Sequence, residues 1–292
     1  VKSDGPLHME KEIDSLLTEV DNSMSLYNPQ SLLSRLNRNE TDSVDGFIAE
    51  CIRTARRISE QSDGAYDITV KPLTAAYGFT GDVPVQNPDV DSLLKLVGYD
   101  KIAVENGRLR KADPRMQIDL NSIAQGATSD YIAAYFEKLG IEEYMIEVGG
   151  EIFCRGLNAK GKPWVVGIDR PKEGNFTPGA DLQVKISLSG KGLATSGNYR
   201  KFRTDSSGRK IVHTVDPRTG QPVTSDLLSA TVVAETSAEA DAYGTALMVM
   251  GLERGKEFLA AHPEIQAYLI YSDEQGRFQT YVTPELGRTI AR

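Results

Sequence analysis

Between Tyr144 and Val233 the chain changes period. Short runs at Tyr144–Val148, Ile152–Gly156, Trp164–Ile168, Leu182–Leu188, Gly192–Thr195, Ile211–Val215 and Ser229–Val233 alternate or stay apolar, with turn residues between them. Further runs at Ala267–Tyr271 and Phe278–Val282 close the chain. Before this block the spacing is helical: residues 9–23 (Ile13, Leu16, Leu17, Val20), Pro29–Leu36, and 45–61 through Ile48, Ile52, Ala55 and Ile58. Helices and strands in separate blocks predict an α+β fold, largely antiparallel sheets with flanking helices, rather than a doubly wound one.

The remaining segments are shorter. Residues 65–88 show little periodicity, and a loop of that length in a compact chain is a functional candidate. Asp91–Leu96 reads as a helical turn, and Ile102–Val104, Arg108–Lys111 and Met116–Leu120 as short strands. Ile123–Leu139 is helical up to Gly140, and Asp205-Ser206-Ser207-Gly208 reads as a hairpin turn. The 292 residues make one large domain or two intimate ones, residues 1–9 reading as the remnant of a removed leader or as vector-derived. Net charge is -8 and no Lys/Arg cluster exceeds three residues, which excludes a nucleic-acid footprint. An acidic chain that handles a phosphate needs a local device against like-charge repulsion, such as a metal. Cys51 and Cys154 fit no zinc spacing and read as buried packing residues. No run of 18 apolar residues occurs.

Chemistry concentrates in a few places. Thr236-Ser237-Ala238-Glu239 is a capping box, and Gly251 stops the helix it opens. In that helix Ala240, Tyr243, Leu247 and Met250 form an apolar stripe, while Asp241 and Thr245, four apart, lie about 40° from each other. A carboxylate and a hydroxyl on one face suit Mg²⁺, although an early Asp also complements the helix dipole. Asp63-Gly64-Ala65-Tyr66-Asp67-Ile68-Thr69-Val70 brings small residues near a ligand, or is a turn into a strand. Asp119-Leu120-Asn121-Ser122-Ile123-Ala124-Gln125-Gly126 is a strand-to-helix junction that suits an anion or supplies a carbonyl to a metal; capping by Asn121 or Ser122 also accounts for it. Val148-Gly149-Gly150-Glu151 is a hairpin turn or a close backbone approach, and not a dinucleotide fingerprint. His213, in His213-Thr214-Val215-Asp216-Pro217-Arg218-Thr219-Gly220, is the histidine that sits among these candidates, as catalyst or as a structural residue.

Taken in order, with Ser25-Leu26-Tyr27, Ser34-Arg35-Leu36-Asn37 and Ala194-Thr195-Ser196-Gly197-Asn198-Tyr199-Arg200, these segments resemble the FAD:protein FMN transferase (ApbE) family from about Leu26 to Pro284. The resemblance implies the ApbE-like flavin transferase fold, with FAD as substrate and Mg²⁺ as cofactor. FMN is joined through a phosphoester to a threonine of an acceptor flavoprotein, such as a subunit of a sodium-pumping or related electron-transfer complex, and AMP is released. Carried over residue by residue, it implies that Tyr27 packs on the nucleotide and that Ala65, Tyr66 and Asp67 line the FAD cleft. Asp119 and Gln125 hydrogen-bond FAD, and Val215 touches it. The Ser122 carbonyl, Asp241 and Thr245 bind Mg²⁺, and His213 assists proton transfer. It also implies the periplasm of a bacterium, with a tether to the inner membrane in the precursor.

There are two departures. Gly244 stands where some relatives carry a second Asp, which leaves the metal shell one carboxylate fewer. The opening Thr-Met-Gly-Thr strand of many relatives is not in these residues. The alternatives to transfer are a Mg²⁺-dependent FAD pyrophosphatase, with water replacing the threonine, and a flavin carrier without turnover.

Overall fold

A six-stranded sheet in sequence order organises one of the two units into which the chain divides. The computed structural model describes residues 1–2, 8–80, 83–171, 179, 181–198, 202–204 and 210–290. The unit with the sheet comprises residues 1–9, 125–202 and 224–292, and the other comprises 10–124 and 203–223. The predicted hairpin turn at Asp205–Gly208 and the motif residues Tyr199 and Arg200 lie outside the described residues.

The sheet runs β1 (Tyr144–Val148), β2 (Glu151–Arg155), β3 (Lys191–Gly197), β4 (Leu227–Ala234), β5 (Gln266–Ser272) and β6 (Phe278–Val282). Each strand pairs antiparallel with its neighbours in sequence order. Val148 pairs with Glu151, which leaves Gly149 and Gly150 as a two-residue loop with φ 68° and 112°. Positive φ at both positions matches the strand twist, and only glycine takes it without strain.

The two faces of the sheet differ in side-chain size. Ile152, Cys154, Leu193, Val233, Tyr268 and Ile270 point one way and pack with Val166, Ile168, Ile186 and Leu188 of the inserted hairpin Trp164–Asp169/Leu182–Leu188. The opposite face of β3 and β4 carries mostly small residues in register, Gly192 beside Ala234, Ala194 beside Val232 and Ser196 beside Ala230. The helix Ser237–Ala261 packs against β3 and β4. A Cβ at Gly192 would lie 2.2 Å from the Ser237 nitrogen, so the helix start reaches that small-residue face at a distance no side chain allows. The helix opens with the predicted capping box and breaks at Gly251 (φ 74°, ψ -175°), as its sequence implied. The predicted stripe is only part of its contact. Of the stripe, Ala240, Tyr243 and Leu247 are buried and Met250 is only half-buried, while Ala242, Gly244, Ala246, Met248 and Val249 are buried too, because the helix is covered on more than one side.

In the other unit the helices Glu10–Met24, Leu32–Asn37 and Gly46–Gln61 appear where the 3.6-residue spacing put them, the last two capped by Ser31 and Asp45. The antiparallel pair Ile102–Glu105/Arg108–Lys111 is present. Two expectations are corrected. The aperiodic segment after Ala65 contains a 3-10 turn, Ile68–Val70, and a helix, Lys71–Ala76, instead of a long loop or a strand. The helix is too short for its periodicity to register and is started by Pro72 in its first turn. Residues 116–120 are extended but form no strand. The Asn37 side chain takes the place of a neighbouring strand, donating Nδ2–H to the Ile118 carbonyl (2.8 Å) and accepting the Ile118 N–H (2.7 Å). Cys51 and Cys154 are buried and form no disulfide, as expected.

Candidate active site

The strongest candidate group lies at the start of the Ser237–Ala261 helix. Asp241 is 6% exposed and accepts the Gly126 N–H at 3.4 Å. Gly126 belongs to the helix Ala124–Lys138, and a Cβ there would stand 2.4 Å from the Ser237 carbonyl oxygen. The two helices therefore touch backbone to backbone where Asp241 projects. Burial pushes the Asp241 carboxyl well above the usual range; repulsion from Glu151 adds to this, the Gly126 N–H opposes it, and Asp130 adds a further repulsion. Thr245, one turn on, has its Oγ1 3.5 Å from Ser196 Oγ on β3.

Gly244 now has a physical reason: its Cβ would lie 2.8 Å from Ser196 Oγ, so the serine hydroxyl fills the space a larger residue would need. Among the described residues no three His, Cys, Asp or Glu side chains converge to hold a metal. The donors here are instead one buried carboxylate in a field of like charge and a hydroxyl one turn away. A hard divalent cation fits that set, with further oxygens from carbonyls or solvent, because it would relieve the repulsion on Asp241.

Gln125 joins this group through the β1–β2 turn. A Cβ at Gly149 would lie 2.0 Å from Gln125 Nε2 and 3.3 Å from a Glu151 carboxylate oxygen. Both readings of the paired glycines are thus realised: they make the hairpin turn and admit a side chain to close range. Asp130 had no part in the sequence expectations, yet its carboxylate accepts the N–H groups of Ser237 and Ala238, both at 2.8 Å. An i+4 or i+3 pattern could not have revealed it, because its partners are more than a hundred residues away.

The other unit holds the remaining candidates. Asp63 (φ 52°) and Gly64 (φ 68°) turn the chain so that Ala65, Tyr66 and Asp67 run into the 3-10 turn, all three buried. Asp67 accepts the Thr69 N–H (2.7 Å), the Thr69 hydroxyl (2.6 Å) and the Tyr99 N–H (2.7 Å). Burial raises its carboxyl above the ordinary value, and these donors only partly oppose that. Three of about four acceptor positions on the carboxylate are thereby occupied within the protein. Tyr66 is 1% exposed, and its hydroxyl lies 3.5 Å from the Ser122 carbonyl and 3.2 Å from Ser122 Oγ, so these two candidates meet.

Asp119 is buried and accepts the Asn121 N–H at 2.9 Å; it organises the turn that Asn121 or Ser122 was expected to cap. Val215 packs with Leu73 and Val97, so its side chain is core. His213 follows the strand Lys210–Val212, shorter than the predicted Ile211–Val215, with its ring edge-on to Phe79 at 6.4 Å. Tyr27 is different in kind: the residue is 69% exposed.

This architecture is that of known flavin transferases. The solved structure of the flavin transferase ApbE from Vibrio cholerae matches with a TM-score of 0.85 at 32% identity, over 99% of this chain and 93% of that one. The apo flavinyl transferase ApbE of Pseudomonas stutzeri matches with a TM-score of 0.86 at 30% identity, over 99% and 90%. The FAD:protein FMN transferase of Escherichia coli (strain K12) is 34% identical over 288 residues, 95% of this chain and 80% of that protein. The Haemophilus influenzae protein of the same description is 34% identical over 278 residues, 91% and 79%. The sequence model of the ApbE family matches residues 1–269. The chain belongs to the ApbE family.

Proposed function

We propose that this chain is an FAD:protein FMN transferase that uses Mg²⁺ and modifies a threonine of an acceptor flavoprotein. The observation that carries the reading is the Asp241 carboxyl, raised by burial and further by Glu151 and set one turn from Thr245, in a chain with the fold and motifs of flavin transferases. Bound there, Mg²⁺ would neutralise the FAD diphosphate and polarise its phosphoryl oxygens.

The residues of the chain supply the rest. Asp241 and Thr245 would hold the cation, and the family resemblance adds the Ser122 carbonyl as a further oxygen. Gln125 and Asp119 orient FAD by hydrogen bonds. Ala65, Tyr66, Asp67 and Val215 belong to the walls that receive it, the last through its backbone because its side chain is core. The exposed Tyr27 ring offers a flat apolar face to a nucleotide ring. The acceptor threonine Oγ attacks the phosphorus of the FMN half. The bond from that phosphorus to the bridging oxygen breaks, AMP leaves with that oxygen, and the FMN–threonine phosphoester forms. A threonine hydroxyl does not ionise at neutral pH, so His213 takes its proton as the bond forms, a contribution of roughly 10²–10⁴-fold. Catalysis is otherwise alignment of nucleophile and leaving group.

The same reading places the protein in the bacterial periplasm, tethered to the inner membrane in its precursor, with an electron-transfer subunit as acceptor. Incubation with FAD and Mg²⁺, with and without an acceptor domain, tests it through AMP release and protein mass. AMP formed only with acceptor, together with an FMN-sized mass gain, supports transfer. AMP without acceptor means hydrolysis, and bound flavin without AMP means a carrier. His213→Ala is expected to slow transfer and spare FAD binding; an unchanged rate removes His213 as the base.

A further inference from the structure

The helix that carries Asp241 and Thr245 is fastened at its first turn by a residue outside the expected site. Helix starts leave backbone N–H groups without an intrahelical partner. Here Thr236 Oγ1 accepts the Glu239 N–H, and the Ser237 and Ala238 N–H groups go to the two oxygens of Asp130, each at 2.8 Å. Asp130 lies on the Ala124–Lys138 helix, one turn beyond Gly126, which contacts the Ser237 backbone and donates its N–H to Asp241. Gly192 seats the same Ser237 from the sheet side. One turn of helix is thus pinned from two directions, and its rotation and height set where Asp241 points.

We infer that Asp130 is a positioning residue for the metal and diphosphate site, clamping the Ser237–Ala261 helix by a two-oxygen grip on its first free N–H groups. The inference rests on the transferase reading for what Asp241 and Thr245 do. It goes beyond that reading in assigning their placement to a carboxylate whose two oxygens accept backbone N–H groups of the helix start. A second consequence is geometric. Gln125 and Gly126 ride on the helix that bears Asp130, so the clamp also locks the FAD-facing amide to the metal-facing carboxylate.

Mn²⁺ alone is the probe, titrated into the intact chain and followed by the electron paramagnetic resonance of the free ion, for wild type, Asp130→Asn and Asp130→Ala. Support for a ligand from outside its immediate shell is worth roughly 10–100-fold in metal affinity. Asp130→Ala is expected to weaken Mn²⁺ by that range, and Asp130→Asn, which keeps one acceptor oxygen, by less. Saturating metal should restore much of the transfer rate. A residue that only stabilises the fold would lower Tm and leave the Mn²⁺ titration where it was; that result in folded Asp130→Ala overturns the inference.

If Asp130→Ala does not fold, amide exchange in Asp130→Asn decides. Faster exchange confined to Ser237 and Ala238 supports the clamp, and wild-type exchange there refutes it. A wild type that binds no Mn²⁺ overturns the metal reading of Asp241 and not the clamp, which the same exchange measurement then judges.

Discussion

Replacing Gly126 by alanine should reverse the usual sign of that change within a helix. Alanine is ordinarily the better helix former by about 1 kcal/mol. At position 126, however, the new Cβ meets the Ser237 carbonyl oxygen at 2.4 Å, its carbonyl carbon at 2.6 Å and Ala238 Cα at 2.8 Å. These are backbone atoms of a capped first turn and cannot rotate aside. Moving from 2.4 Å to an ordinary contact of 3.4 Å needs about 1 Å of separation between the helices. Overpacking of this kind costs about 1–3 kcal/mol, which exceeds the propensity gain and leaves a net loss of about 1 kcal/mol. The effect on the reaction is larger, because a misplacement of about 1 Å can cost on the order of 100-fold in rate. Urea unfolding and the rate of FMN transfer measure the two. Gly255→Ala in the Ser237–Ala261 helix is the control: its Cβ would meet only the movable Leu247 Cδ2 at 3.3 Å, so stability should be unchanged or higher. A Gly126→Ala protein as stable and as active as wild type would refute the backbone contact.

Other outcomes follow from the buried groups. Asp241→Asn should raise Tm in metal-free buffer while abolishing transfer, because folding no longer buries a disfavoured charge beside Glu151; a lowered Tm would contradict that balance. Asp67 should titrate above the ordinary 3.8, since its burial outweighs its donors, and Thr69→Val should move it further up by removing one donor. The sign is that of an acid whose folded value exceeds its unfolded one: its contribution to stability is greatest at low pH and declines as pH rises from 3.8 through the folded value. Carboxyl NMR titration checks both, and a value below 3.8 would reverse the argument. Burial pushes the Cys154 thiol up to about 12, so it should resist thiol reagents at pH 8 until the protein is unfolded. Rapid labelling of the native protein would show the strand to be open.

The helix bearing Asp241 was legible because everything that defines it is local: a capping box, a glycine stop and a four-residue spacing. The Gly149–Gly150 turn was legible for the same reason. Asp67 shows the limit. Its place in a glycine turn could be read, but the Tyr99 N–H it accepts is 32 residues away, so its internal commitment could not. Residues 116–120 looked like a strand by composition and lack one because Asn37, not a strand, satisfies Ile118.

By itself, the order of residues determined where helices begin, which runs alternate, and that one carboxylate and one hydroxyl share a helical face. These depend on dihedral preferences and periodicity over a few neighbours. Tertiary structure alone decided that Gly126 and Gly192 admit the Ser237 backbone, that Ser196 occupies the space over Gly244, and that Asp130 holds the helix start. Those contacts join segments far apart in the chain, and close packing between backbones is specified by the fit of both surfaces, which neither segment encodes alone.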